Sequence, residues 1–121
     1  MARVLIIDDS GFQRSVIRMM LQKDGHETIE APTGGEGIAA ARTKSPQVIL
    51  LDLLMPDMTG IDVLKVLRAE NITTPVVVVT ADIQETSRKE CMNLGAVGFV
   101  NKPVKGDNLA HLLKLVKLYS A

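Results

Sequence analysis

The chain has 121 residues, and its 14 Lys plus Arg balance 14 Asp plus Glu to a formal net charge of zero. That length suits a single domain, 1–121, which buries roughly two-thirds of its unfolded surface and needs no metal or disulfide staple. Zero net charge, 2 Phe, 1 Tyr and no Trp argue against a nucleic-acid or membrane-surface binder, since both bulk charge and stacking aromatics are missing.

In chain order, the first element is the apolar run Val4-Leu5-Ile6-Ile7, a strand ending at Asp8-Asp9. Phe12, Val16, Ile17, Met20 and Leu21 recur at helical spacing and mark a first helix, which Gly25 stops. Thr28-Ile29-Glu30-Ala31 alternates and reads as an edge strand; an Ala-rich helix follows from Gly35 to Lys44. Val48-Ile49-Leu50-Leu51 is a third strand, ending at Asp52, and Ile61, Val63, Leu64 and Leu67 mark a helix that stops near Asn71. Val76-Val77-Val78-Val79 runs into Thr80, and Asp82 with Glu85 three residues on has the form of a capping box opening a fourth helix, closed by Gly95. Val97-Gly98-Phe99-Val100 is the weakest strand, followed by Asn101-Lys102-Pro103 and a last helix from Asp107 with Leu109, Leu112, Leu113 and Val116 on one face.

Continuous rather than alternating apolar runs mean strands buried on both faces, the mark of a parallel sheet between helix layers. Strand and helix alternate five times, so right-handed crossovers give an α/β fold: a flavodoxin-like (βα)5 three-layer sandwich with sheet order 2-1-3-4-5. In such sheets ligands bind at the carboxyl ends of the strands, beside the switch in strand order. Asp8, Asp9, Asp52, Thr80 and Lys102 therefore converge on one crevice from segments far apart in sequence. Three carboxylates in one pocket repel by about 4 kcal/mol per pair at ~4 Å and an effective dielectric of ~20, so either protons or a cation must relieve them. Oxygen-only ligands favour a hard ion such as Mg²⁺. Lys102 is expected on the far side of the site as a second positive charge, and Thr80 as a hydroxyl donor. Such a set receives a phosphoryl group, and a carboxylate can itself be the nucleophile; Asp52, directly after a buried strand, is the residue assigned that part.

These motifs resemble the receiver domain of two-component response regulators: Asp8-Asp9, Asp52 with Met55-Pro56 and Gly60, Thr80-Ala81, and Lys102-Pro103, in order along the whole chain. The resemblance implies a signalling switch that catalyses only its own phosphoryl transfer and autodephosphorylation, not an enzyme acting on an external substrate. It implies that Asp52 takes a phosphoryl group from a sensor histidine kinase or a phosphotransfer protein. Asp9, Asp52 and the main-chain carbonyl of Leu54 would hold Mg²⁺, with Asp8 acting largely through water. Thr80 and Lys102 would contact the phosphoryl oxygens, and the Lys102-Pro103 bond would be cis. Thr80 would move towards the phosphoryl group, Phe99 would turn inward, and the face of helix four, strand five and helix five would change to control binding of a protein target. The fourth helix carries a thin apolar stripe (Ile83, Ser87, Cys91, Leu94), which suits an element that moves.

Two other readings stand beside this one: the receiver portion of a larger regulator with a separate output domain, and a small-molecule phosphatase with an aspartyl nucleophile. The phosphatases of the haloacid-dehalogenase type need a second Asp two residues after the nucleophile, where this chain has Leu54. Gly34-Gly35-Glu36-Gly37 lacks dinucleotide-loop spacing and reads as a helix-entry turn; His26 and His111 lie apart from any carboxylate motif. Cys91, the 1 cysteine present, reads as a small buried apolar residue in a reducing compartment. With no apolar run near ~18 residues, the expected location is the cytoplasm. Leu115, Leu118 and Tyr119 fall away from the core side of the last helix and offer a patch for a partner or a transient homodimer.

Overall fold

The computed structural model describes residues 1–121. Five strands, β1 (Arg3–Ile7), β2 (Glu27–Ala31), β3 (Val48–Leu51), β4 (Val76–Thr80) and β5 (Gly98–Asn101), alternate with α1 (Gly11–Lys23), α2 (Gly34–Thr43), α3 (Gly60–Ala69), α4 (Glu85–Asn93) and α5 (Asp107–Tyr119). All pairings are parallel, in the order β2-β1-β3-β4-β5. This is the expected flavodoxin-like sandwich. β2 lies at the edge and is the one strand whose pattern is half exposed; its alternating sequence follows from that.

The pleat sorts each strand's side chains into two cores. Leu5, Ile7, Ile49, Leu51, Val76 and Val78 pack with α2, α3 and Cys91 of α4. Val4, Ile6, Val48, Leu50, Val77, Val79 and Val100 pack with Ile17 and Leu21 of α1 and Leu112 and Val116 of α5. Strands flanked by helices on both faces need apolar residues at every position, and the burial of β1, β3 and β4 is continuous apart from Arg3.

The helices start and stop where short-range chemistry tells them to. Ser10 caps α1 by accepting from the Gln13 N–H, Thr33 caps α2 through Glu36 N–H, and Thr59 with Asp62 forms a complete capping box on α3. Gly25 and Gly95, both at φ +89°, turn the chain out of α1 and α4 in the left-handed region that favours glycine.

Four local expectations need correction. Asp82 does not cap α4: Gln84 holds the cap position with no side-chain bond, and Asp82 lies in the preceding turn. The apolar stripe of α4 shrinks to Cys91 as its one buried residue, because Ile83 falls before the helix and is 81% exposed. Phe12, grouped with the apolar positions of α1, is 75% exposed, since at 3.6 residues per turn it lies on the opposite side of the helix from the buried Leu21 and well away from Ile17. Leu115 does pack against the core, over Gly98, whose missing side chain makes room for it. That leaves Leu118 and Tyr119 as the exposed apolar residues at the end of α5. No helix is long and apolar enough to cross a membrane.

Gly60 governs the connection from β3 into α3. A Cβ there would fall on the main-chain oxygen of Asp52 and lie 2.8 Å from Leu53 Cα, so α3 can begin this close under the loop only without a side chain. Its N–H bonds to the Leu53 carbonyl at 3.0 Å. Gly60→Ala is expected to destabilise the fold by about 1–3 kcal/mol through overpacking, lowering the urea midpoint with little change in its slope. Burial also pushes the Cys91 thiol up to about 11, helped by the nearby Glu90 and Asp82. The thiol is therefore expected to resist alkylation at pH 8 in the folded chain and to label fully in denaturant; rapid labelling of the native chain would show that α4 lifts off the core.

Candidate functional site

The sheet ladder itself brings the carboxylates together. Ile7 pairs with Ala31 on one side and Leu51 on the other, so the residues that follow β1 and β3 emerge side by side. The ladder runs one residue further than the strands: Asp8 N–H donates to Ala31 O, Asp52 N–H to Ile7 O, and Lys102 N–H to Thr80 O, at 2.9–3.1 Å. Neighbouring parallel strands stand about 4.8 Å apart, which fixes the spacing of Asp8 and Asp52 before any side-chain chemistry is considered.

Asp8 and Asp52 are buried, and Asp9 is exposed at the rim. Their carboxylate oxygens, one from each residue, lie within 4.8 Å of one another. Lys102 is not on the far side of the site as its sequence position suggested. Its Nζ sits between the two buried acids, 2.7 Å from Asp8 Oδ2 and 3.0 Å from Asp52 Oδ2, with its side chain only 11% exposed. Burial acts to lower the Lys102 pKa, but the hydrogen bonds and charges of Asp8 and Asp52 outweigh it and hold the ammonium above the ordinary lysine value. The Lys102–Pro103 peptide is cis.

The remaining oxygens are also engaged. Asp8 Oδ1 accepts from Ser10 N–H at 2.9 Å, and Asp52 Oδ1 accepts from Leu54 N–H at 3.2 Å. The Asp8 carbonyl accepts from Arg14 Nη1 at 2.6 Å, and Arg14 in turn meets Glu30. Asp8, Asp9, Asp52 and Lys102 together carry a formal surplus of two negative charges, and every candidate ligand atom is a hard oxygen. That donor set suits a small divalent cation such as Mg²⁺.

Thr80 is fully buried at the end of β4, and its Oγ1 accepts the Asp82 N–H at 3.2 Å. It faces the α2–α3–α4 side by the alternation of β4, as does Phe99, which packs half-buried on that core. Leu54 is 57% exposed, so its side chain stands over the crevice mouth rather than within it.

Sequence reasoning passed over several residues that hold the site in place. Ser10, with Gln13 three residues on, has a capping-box spacing that could have been read. Asp57 accepts from the N–H groups of Gly34 at 3.1 Å and Gly35 at 3.2 Å, tying the loop after Asp52 to the N-terminus of α2. The Gly34 bond, aided by that of Gly35, holds the exposed Asp57 carboxyl below its ordinary value against desolvation. No local signal marks that contact, because it joins residues more than twenty positions apart.

Comparison with known proteins agrees with this geometry. A family model described as the response regulator receiver domain matches residues 4–114. PilH of Pseudomonas aeruginosa is 37% identical over 118 residues, covering 96% of this chain and 98% of PilH. The transcriptional regulatory protein KdpE of Mycobacterium tuberculosis is 38% identical over 122 residues, but there the chain spans only 54% of the relative. Among solved structures, the chemotaxis protein CheY4 of Vibrio cholerae superposes with a TM-score of 0.87 at 33% identity, covering 96% of this chain and 98% of that one. The receiver domain of the Francisella response regulator 1452 gives a TM-score of 0.91 at 28% identity, covering 99% and 97%. The order of strands, the acid pair at the ends of β1 and β3 and the family match over nearly the whole length lead to one conclusion: the chain belongs to the response regulator receiver domain family, the signalling domains of two-component systems.

Proposed function

We propose that the chain is a phosphorylation-driven switch in which Asp52 accepts a phosphoryl group from a phosphohistidine on a sensor histidine kinase or phosphotransfer protein. The observation that carries this reading is the Asp8–Lys102–Asp52 cluster: a buried carboxylate at a strand end, held beside one ammonium in a crevice that still lacks positive charge. In the step, a carboxylate oxygen of Asp52 forms the P–O bond as the P–N bond of the donor breaks, and the released imidazole takes its proton from solvent. Asp8, Asp9, Asp52 and the Leu54 carbonyl would hold Mg²⁺, which when bound neutralises charge on the phosphoryl oxygens.

Lys102 can swing its ammonium from the carboxylates to the transferred group, since the flexible four-carbon stem lets a point charge follow the new anion. Thr80 keeps its hydroxyl proton free while its oxygen accepts from Asp82 N–H, so it can donate to a phosphoryl oxygen. Phe99 and α4 carry the change to the face built from α4, β5 and α5, where a protein target binds. The reading places the switch in the cytoplasm, beside the kinase that feeds it. Leu54 stands two residues past Asp52 where an aspartyl phosphatase would carry a second Asp, which argues against turnover as a general phosphatase.

Intact-protein mass after incubation with acetyl phosphate tests the central step. A phosphoryl adduct is expected on the native chain with Mg²⁺, and none is expected on Asp52→Asn or after chelation. An adduct that survives Asp52→Asn would move the acceptor elsewhere and overturn the assignment.

A second prediction concerns the cation. Lys102→Met leaves two adjacent buried carboxylates without their partner and is expected to destabilise the fold by about 3 kcal/mol, with added Mg²⁺ recovering part of the loss. Because folding raises the Lys102 pKa, its stabilisation is complete below the unfolded value near ~10.4 and fades as pH climbs through the folded one. The native-minus-variant difference in unfolding free energy should therefore be flat from pH 7 to about 10 and shrink above it. A difference that grows with pH would contradict the ion-pair account.

A further inference from the structure

The main-chain ladder of β1 runs out at Asp8. Its N–H still donates to Ala31 O, but its carbonyl accepts from no main-chain N–H. Arg14, one turn into α1, takes that carbonyl instead, donating from Nη1 at 2.6 Å. The carbonyl belongs to the peptide that joins Asp8 to Asp9, and a peptide is planar. Fixing its oxygen therefore fixes the plane from which Asp9 leaves the strand.

The guanidinium is itself braced. Its Nε donates to Glu30 Oε1 at 3.2 Å, while Glu30 Oε2 accepts from Arg18 Nη1 at 3.0 Å. Glu30 stands on β2 opposite Ile6 of β1, and Arg14 and Arg18, four residues apart, share one face of α1. The Arg14 side chain is 16% exposed and that of Arg18 36%, so Arg14 is the inner of the two. Its planar fork holds a carboxylate and a carbonyl at once, which an ammonium on a flexible stem does less well. One guanidinium thus ties α1 and the edge strand to the last peptide of β1.

Asp9 needs such support more than its neighbours do. Lys102 ties down Asp8 and Asp52 but makes no ion pair with Asp9, which is exposed at the rim. All three nonetheless offer carboxylate oxygens within 4.8 Å of one another. Charge does not account for the guanidinium at this place. Arg14, Arg18 and Glu30 together carry one surplus positive charge, which works against a bound cation. What the bond to Asp8 O supplies is geometry.

We propose that Arg14 is a positioning residue for the divalent-cation site: held by Glu30, it sets the Asp8–Asp9 peptide so that the Asp9 carboxylate stands ready beside Asp8 and Asp52. The inference rests on the reading of these three acids as that site. With the peptide fixed beforehand, a cation does not have to order Asp9 as it binds, and affinity rises through preorganisation. Arg14 itself touches neither the cation nor a phosphoryl group; it acts through the main chain of Asp8.

A Mg²⁺ titration of the full chain, with no phosphodonor present and followed by the amide NMR shifts of Asp9 and Ser10, tests it. Arg14→Met is expected to weaken Mg²⁺ binding roughly tenfold, the scale of an outer contact that orients a ligand. Arg18→Met removes the same charge from the same carboxylate without touching Asp8, and is expected to stay within about twofold of the native chain. Arg14→Lys, whose ammonium can still donate to the carbonyl, is expected to bind Mg²⁺ more tightly than Arg14→Met. Unchanged or tighter binding in Arg14→Met overturns the proposal, tighter binding being what loss of a nearby cation does through charge alone. Equal weakening in Arg18→Met, or equal loss in the Lys and Met variants, overturns it as well. Should Arg14→Met fail to fold, Glu30→Ala decides, since it removes the brace and keeps Arg14: native Mg²⁺ affinity there counts against the proposal, weaker binding supports it. A native chain whose Asp9 amide does not respond to Mg²⁺ sinks the cation-site reading itself, and the role of Arg14 falls with it.

Discussion

Two buried carboxylates forced into adjacency by a parallel sheet are the constraint on which the rest of the structure turns. Asp8 and Asp52 follow paired residues on adjacent strands, and their own N–H groups extend the ladder, so their backbones cannot move apart without breaking the pairing at the centre of the sheet. Like charges that close repel by several kcal/mol even at an effective dielectric of ~20. The fold answers with one ammonium from a third strand end, Lys102, placed between them. One cation against three nearby acids leaves the crevice short of positive charge, a shortage that a small divalent cation would relieve. The chemistry at the site and the electrostatics of folding are the same problem.

An ammonium suits the place of Lys102 better than a guanidinium would. A guanidinium in its place would lock bidentately onto a carboxylate, whereas an ammonium on a flexible stem can trade one anion for another. The side chain reaches the acids from the end of β5, whose main-chain N–H is fixed to Thr80 O. Its backbone is therefore tied to the residue whose side chain couples to α4. The ammonium and the Thr80 hydroxyl thus belong to one strand pair, β4 and β5, next to each other in the sheet.

The fold was legible because burial on both faces writes itself as unbroken apolar runs, and Val4–Ile7, Val48–Leu51 and Val76–Val79 have no competing reading. The acid pair was legible for the same reason: an Asp directly after such a run has nowhere to go but the sheet end. What could not be read were contacts set by three-dimensional placement. Lys102 was expected opposite the acids and lies between them, because a strand-end position gives the origin of a long side chain but not its direction. Asp82 with Glu85 looked like a capping box, yet the turn gives Asp82 a nearer pair of donors in Gln84 N–H and the Ser87 hydroxyl. Phe12 shares helical spacing with Val16 but lies on the opposite side of α1 from Leu21, and the sequence alone did not show which of the two faces meets the sheet. Leu115 erred the other way, since a glycine on the neighbouring strand makes space that the helix's own pattern does not reveal.

The weakness of α4 follows from these same rules. A helix with one buried residue gains little from the hydrophobic effect, and its position rests on polar contacts at its ends. Hydrophobic contacts are tolerant of small shifts; hydrogen bonds fail abruptly when an atom moves by an ångström. An element held by the second kind has discrete positions rather than a continuum of them. α2 and α3, with three or more buried residues each, have no such freedom. The sheet needs a cover over β4 and β5 on that side, and a polar helix of nine residues with one buried side chain provides it. For such a helix one hydrogen bond is a larger share of what keeps it in place than it is for α2 or α3.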